Sequence, residues 1–412
     1  ELAVGRYEID DGLTLLRQAV ALEPDPTRQA ALWFEIGHAS ALKYDGEGFV
    51  AALQTALELG APEAQVYPEL AFQTAQRAGM WQRRLDDSLV EGWIERAVAV
   101  APEGTPYRIR ALVAKAYWQD DLAAAHAALA IADGLDVVEF RSMGLGAVQS
   151  ALQETGQFVE AGQVASERAA LLPAIADPDH VADALFMTAD LYANVGRLAD
   201  ARVVTARLEE TVAGLTPHHR VHGLGMRMRL EAAVADWETG RALTQRVEDA
   251  VEANLATPCP FNVGLLLLAA LSMVYTSDDA GGARLVAKAE SIGMVGYGRI
   301  TVARWLRLAI AHHDLDDLRR RVDSVEPAWL IPGAWELWAA FLDSLALLGE
   351  RDRIEAEAPQ WVRPDAYVAP FAVRALGVVR NDTALLTDAI ARFETRGLEW
   401  HAQETRSLLD PS

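Results

Sequence analysis

Three histidines, His218, His219 and His222, fall within five residues of one another. His218 and His222 are four apart, so on a helix their imidazoles share a face and can approach one metal ion. A zinc site needs three or four ligands, and no Asp, Glu or Cys completes the set nearby in sequence. The cluster reads as the polar first turn of a helix, with no metal expected. His312 and His313, followed by Asp314, Asp316 and Asp317, mark a helix end, where a cation complements the helix dipole without any metal. Cys259 is a candidate nucleophile only if a neighbour lowers its pKa. It lies between Pro258 and Pro260 with no basic residue near it, so a half-buried structural thiol is expected. Gly293, Gly296 and Gly298 make a glycine-rich stretch, but no strand precedes it, and Gly-x-x-x-x-Gly-Lys-Ser/Thr is absent from the chain. That stretch reads as a loop. The paired carboxylates Asp86-Asp87 and Asp278-Asp279 fit turns or helix starts, which attract acidic groups anyway. No catalytic, cofactor-binding or metal-binding residue is expected.

Two other residue types could recognise a partner. Trp305, Trp329, Trp335, Trp338 and Trp361 crowd the last third of the chain. Trp335 and Trp338 are three apart and share a helix face; the first reading is core packing, the second an aromatic anchor in a partner groove. Arg227, Arg229, Arg304 and Arg307 fall on the first helices of predicted helix pairs, which line the concave face of such arrays. They are candidates to receive acidic groups of a protein, peptide or small effector, although most exposed arginines are simply solvated.

The elements that must position these residues repeat. Val181, Leu185, Thr188, Tyr192 and Val195 form one stripe at helical spacing; Gly196-Arg197 interrupts; Leu198, Ala201, Thr205, Leu208 and Val212 form the next. Two amphipathic helices joined by a tight turn make an antiparallel pair, and each stripe needs a partner to bury it. The turn at Gly196 to Ala201 matches Gly156 to Ala161, with a looser copy at Gly46 to Ala51. Glycine tolerates the left-handed conformation that ends the first helix. Further turns are placed near Gly79, Asp120, Gly240, Gly281, Asp314, Gly349 and Asn381. Their spacing runs from 32 residues (Gly349 to Asn381) to 44 (Gly196 to Gly240). Tetratricopeptide units repeat at roughly 34 residues and HEAT-like units at roughly 40–47. Asp177-Pro178 and Thr216-Pro217 are helix starts. The expected fold is all-α: a single right-handed α-solenoid of stacked αα-hairpins over 1–412, tetratricopeptide-like, with a weak seam near 256–262.

Composition narrows the class. The 59 acidic against 37 basic residues leave a net charge of -22, which disfavours nucleic acid or an anionic membrane as partner. The most apolar run, Val263 to Val274, is shorter than the roughly 20 residues a membrane span needs and reads as a buried helix. A single cysteine forms no internal disulfide, which suits a reducing, cytoplasmic setting. No signal peptide is visible, and the lack of an initial Met suggests a piece of a longer protein.

Several strings are more specific than generic repeat text. They are Ala41 to Glu47 (ALKYDGE), Gly79-Met80-Trp81, Leu89 to Ala97 (LVEGWIERA), Leu215 to Gly223 (LTPHHRVHG), Val251 to Cys259 (VEANLATPC) and Arg392 to Ala402 (RFETRGLEWHA). Together they resemble the C-terminal helical-repeat region of large bacterial regulators. In these, a class III adenylate/guanylate cyclase or a LuxR-type DNA-binding domain is joined to a signal-transduction ATPase and then to tetratricopeptide-like repeats. The resemblance runs from about Ala41 to the end. It implies a regulatory scaffold attached to upstream output domains, with the cyclase metal site and ATPase phosphate loop outside the repeats, so no catalytic residue carries over. Basic residues are expected at the start of the helix after Cys259, where this chain has Phe261-Asn262-Val263-Gly264. A free-standing adaptor is the alternative, and a metal-dependent hydrolase built on the histidines ranks last.

Overall fold

A computed structural model describes residues 2–5 and 7–409. Among these residues there are more than twenty α-helices, three short 3-10 turns and no strand. No helix is long and apolar enough to cross a membrane. Consecutive helices pair: Pro178–Asn194 packs on Leu198–Val212, and Pro26–Leu42 on Gly46–Glu58. The first helices also pack on one another, Glu63–Gln76 against Pro106–Gln119 and Pro260–Tyr275 against both Pro217–Val234 and Gly298–Ala311.

This arrangement explains how each stripe is buried. Leu198, Ala201, Thr205, Leu208 and Val212 are all buried, as a helix with one covered face requires. The preceding helix departs from its expected stripe. Leu185 and Thr188 are buried, but so are Ala182, Ala184, Ala189, Leu191, Ala193 and Asn194, while Val181 and Tyr192 are only half-buried. A first helix touches its own partner and its neighbours on both sides, so small residues all round it matter more than one apolar stripe. Val263 to Leu271 take this to the limit: every one of those residues is buried.

Helix boundaries follow a consistent chemistry. Proline occupies the first turn at Pro26, Pro106, Pro178, Pro217 and Pro260, where its missing N–H costs nothing. Gly156 and Gly196 adopt φ of 79° and 76° and close their first helices as expected. At three other turns the left-handed residue is not the glycine. Gly46, Gly240 and Gly281 lie inside the first turns of the following helices, and the positive φ falls on Tyr44, Ala235 and Ser277. Each of these precedes an Asp whose carboxylate accepts an amide of the next helix: Asp45 from Gly48, Asp236 from Thr239, Asp278 from Gly281. Asp120-Asp121, His313-Asp314 and Asn381-Asp382 repeat the device. The N-cap carboxylate thus fixes the turn and obliges the preceding residue to reverse the chain.

Contacts are not limited to sequence neighbours. The Val295 amide donates to Gln82 O and the Arg84 amide to Val295 O, each at 3.0 Å. Tyr297 Oη lies 2.8 Å from Trp81 O, and Tyr367 Oη donates to Ala233 O at 2.8 Å. The run of helices curves enough for elements more than a hundred residues apart to touch, and the inner faces of the first helices meet around a polar interior.

Candidate functional site

The interior is lined by charged groups on first helices, nearly all matched to one another. Arg229 donates through Nη2 to Asp190 Oδ1 at 2.7 Å and through Nε to Glu336 Oε2 at 2.8 Å. Arg304 shares Glu336 at 3.0 Å. Arg307 and Arg374 grip the two oxygens of Asp343 at 2.5 and 2.6 Å. Burial alone would raise the Asp343 carboxyl; the two guanidinium groups hold it below its ordinary value.

These facts relocate the residues singled out for a partner groove. Arg229, Arg304 and Arg307 are not free cations on an open face: each is largely buried and paired within the chain. Arg227 is partly exposed and lies 3.5 Å from Glu209. Trp335 and Trp338 are core residues, 1 % and 2 % exposed, with Trp335 donating to Asp190 Oδ1 and Trp338 to Ile331 O. Sequence reading recognised them as inward-facing helix positions but could not see the acids facing the arginines, which come from other repeats.

A different region carries unmatched chemistry. A cavity of ≈ 330 Å³ is bordered by Tyr44, Arg77, Tyr117, Asp179, Phe186, the three histidines and Phe261. Its walls come from seven helix pairs, from the turn at Tyr44 to the helix that starts at Pro260. Pro217 starts the helix that carries the histidines, so His218, His219 and His222 occupy its first two turns. Arg77 caps the end of Glu63–Gln76 and donates to Asp179 Oδ2 at 2.6 Å. Asp179 Oδ1 accepts from His219 Nε2 at 2.9 Å, and Thr216 Oγ1 lies 2.7 Å from His219 Nδ1. Burial works against the Asp179 charge, but Arg77 and His219 together keep that carboxyl well below its usual range.

The other two histidines lack such partners. His218 is 4 % exposed, stacks on the Tyr44 ring, and neither of its ring nitrogens has a hydrogen-bond partner. His222 stacks on Phe261, and its Nε2 lies 3.6 Å from Cys259 Sγ. Burial, reinforced by the neighbouring imidazoles, drives the His218 pKa well below its ordinary value and that of His222 down to about 3. The Cys259 thiol, 1 % exposed rather than half-buried, is pushed up to about 12 by burial, against the pull of the Phe261 and Asn262 amides. Both shifts favour the neutral imidazole.

His218, His222 and Cys259 form a cluster whose ligand atoms all lie within 4.8 Å of one another. No third ligand lies near the histidines in sequence; the fold brings one from 37 residues away. The signal was present in that Pro258 and Pro260 pin Cys259 at the N-cap of the next first helix, which must pack beside the histidine helix. His312 and His313 do end a helix, with His313 at φ 53° ahead of the Asp314 cap, and join no ligand cluster among the described residues. Gly293 to Gly298 form the loop that touches Gln82 and Arg84.

No family model matches this chain, and no curated protein matches its sequence.

Proposed function

We propose that the chain is a regulatory scaffold: a right-handed, tetratricopeptide-like solenoid of stacked helix hairpins whose interior chamber receives a small effector. The observation that carries this reading is the cavity beside His218, walled by side chains from repeats as far apart in sequence as Tyr44 and Phe261. A ligand held there adds a further tie between hairpins distant in sequence, beside the one Arg77 and Asp179 already make, and a solenoid's curvature is the sum of small rotations between neighbours. Filling the chamber therefore alters the geometry presented at the ends of the array.

A small effector fits better than a peptide laid along a concave groove. The arginines that would greet an acidic segment are already neutralised by Asp190, Glu336 and Asp343. The resemblance to the repeat region of cyclase- or LuxR-type signalling ATPases supplies the expected consequence: the array biases an upstream output domain in a cytoplasmic protein. The chain itself is proposed to be non-catalytic, and a free-standing adaptor is the second form of the same reading.

Two measurements test it. Ser150 borders the chamber, and Ser150→Phe is expected to fill it while leaving helicity intact. In the full-length gene product the variant should then lose its response to the physiological stimulus; an unchanged response removes the chamber from the mechanism. The 412-residue chain alone is expected to hydrolyse or cyclise no nucleotide, and turnover of ATP by it overturns the scaffold reading.

A further inference from the structure

We propose that His218, His222 and Cys259 are the three protein ligands of a zinc-class divalent metal whose fourth coordination position opens into the chamber. The ligand spacing comes first. His218 and His222 lie one helical turn apart on Pro217–Val234, the register that turns two imidazoles toward one point. Cys259 approaches from the start of the adjacent helix. With Zn–S near 2.3 Å and Zn–N near 2.0–2.1 Å, tetrahedral geometry requires an S···N edge of about 3.6 Å. Cys259 Sγ and His222 Nε2 are 3.6 Å apart. The whole set spans no more than 4.8 Å, and the N···N edge of the same tetrahedron is about 3.3 Å. Metal binding would draw the widest edge in from at most 4.8 Å.

The second observation is independent of spacing. His218 is buried with both ring nitrogens unpartnered, beside a cavity. Buried polar groups are almost always hydrogen-bonded, and an exception calls for an explanation such as an ion. His219, one residue on, has both nitrogens engaged by Thr216 and Asp179 and is excluded as a ligand. His218, with no partner, and His222, whose Nε2 meets Cys259 Sγ, are therefore set apart from His219. Tyr44 and Phe261 hold these two rings by stacking.

Two nitrogens and one sulfur select zinc or its close analogues and reject calcium and magnesium, which take oxygen ligands. Binding converts the Cys259 thiol to a thiolate, with its proton released to solvent and no change of oxidation state. The N-cap position of Cys259, facing the amides of Pro260–Tyr275, suits that thiolate. Three protein ligands leave one place for water or for a donor atom of a molecule in the chamber. The site rests on ligand geometry and does not need the regulatory reading, since a metal can bind here whether or not an output domain responds.

The test uses the 412-residue chain, stripped with a chelator under reducing conditions and titrated with Co(II), then with Zn(II) in competition. One Co(II) per chain is expected, with a thiolate-to-cobalt charge-transfer band that Zn(II) abolishes. Cys259→Ser should lose the band. His218→Gln and His222→Gln should each weaken binding by at least about 100-fold, the upper end of what a merely supporting residue costs. His219→Gln should retain both the band and the stoichiometry. Circular dichroism confirms that each variant compared is folded, and if His218→Gln is not, His222→Gln decides. Absence of the band at saturating cobalt in the folded wild-type chain overturns the proposal, as does an equal band in Cys259→Ser or unchanged affinity in a folded histidine variant.

Discussion

Arg77 and Asp179, 102 residues apart, pair at 2.6 Å inside the curve of the helices, with the guanidinium 6 % exposed and the carboxylate 17 %. The pair ties the end of one first helix to the start of another three repeats on. It is also the fixed wall against which the histidine turn is built, because Asp179 receives His219 as well. Replacing Asp179 by Asn leaves a buried guanidinium without its counter-charge. A loss of about 3–5 kcal/mol is expected, the usual result of breaking a buried pair from one side. Urea unfolding of the variant measures it, and a loss below about 1 kcal/mol means that the pair is solvated in solution.

Arg229 makes the same point for the charged interior. It stands between Asp190 and Glu336 and over the Trp335 ring. Arg229→Met leaves Asp190 without a counter-charge and Glu336 with Arg304 alone, and is expected to cost about 3–5 kcal/mol, whereas Arg227→Met, at a half-exposed pair with Glu209, should cost about 1 kcal/mol or less. Equal, small effects on thermal unfolding would return Arg229 to the surface.

Acid sensitivity should have an identifiable contributor in Glu69. Burial raises its pKa, but Arg110 and the hydrogen bonds from His38 and Gln73 outweigh burial and bring it down to about 2 from an ordinary 4.5. A carboxyl with a depressed folded-state pKa stabilises above its unfolded value and loses that contribution as pH falls through the folded one. The loss is therefore expected between about pH 4.5 and pH 2, on the order of 3 kcal/mol. Glu69→Gln should flatten the dependence of stability on pH in that window; an unchanged slope assigns acid unfolding to other carboxylates.

The turns give a paired prediction of opposite sign. Gly196 has φ of 76°, and an added Cβ would meet Arg396 Nε at 3.3 Å, so Gly196→Val should cost roughly 1 kcal/mol or more. Ser277 holds φ of 65° on an exposed turn with a side chain that earns nothing from that geometry. Ser277→Gly should therefore stabilise, by up to about 1 kcal/mol. Thermal melts of the two variants read both signs, and destabilisation by Ser277→Gly refutes the account of the Asp-capped turns.

Much of the architecture is written in local sequence. The apolar stripe from Leu198 to Val212, the prolines that open first helices and the glycines at 156 and 196 act within one helical turn, and local rules read them. The Asp-capped turns were harder to read, because glycines at the third helical position, such as Gly48 and Gly281, imitate the turn glycine. An added Cβ at Gly48 or Gly281 would come close to the capping carboxylate of Asp45 or Asp278, yet Thr239 and Asp317 carry side chains at the same position of the same device. The interior lay beyond local rules altogether. An arginine on a first helix has the same sequence environment whether it faces solvent or an aspartate from another repeat. Nothing beside His218 in the sequence announces Cys259, because it comes from the start of the next first helix, and only helix-on-helix packing sets the two side chains together. By itself the sequence determined the helices, their order and most of their boundaries, since those depend on contacts a few residues apart. Tertiary structure alone decided which buried charges are matched and that the His218 imidazole is left without a partner, since both depend on which distant repeats the run of helices brings together.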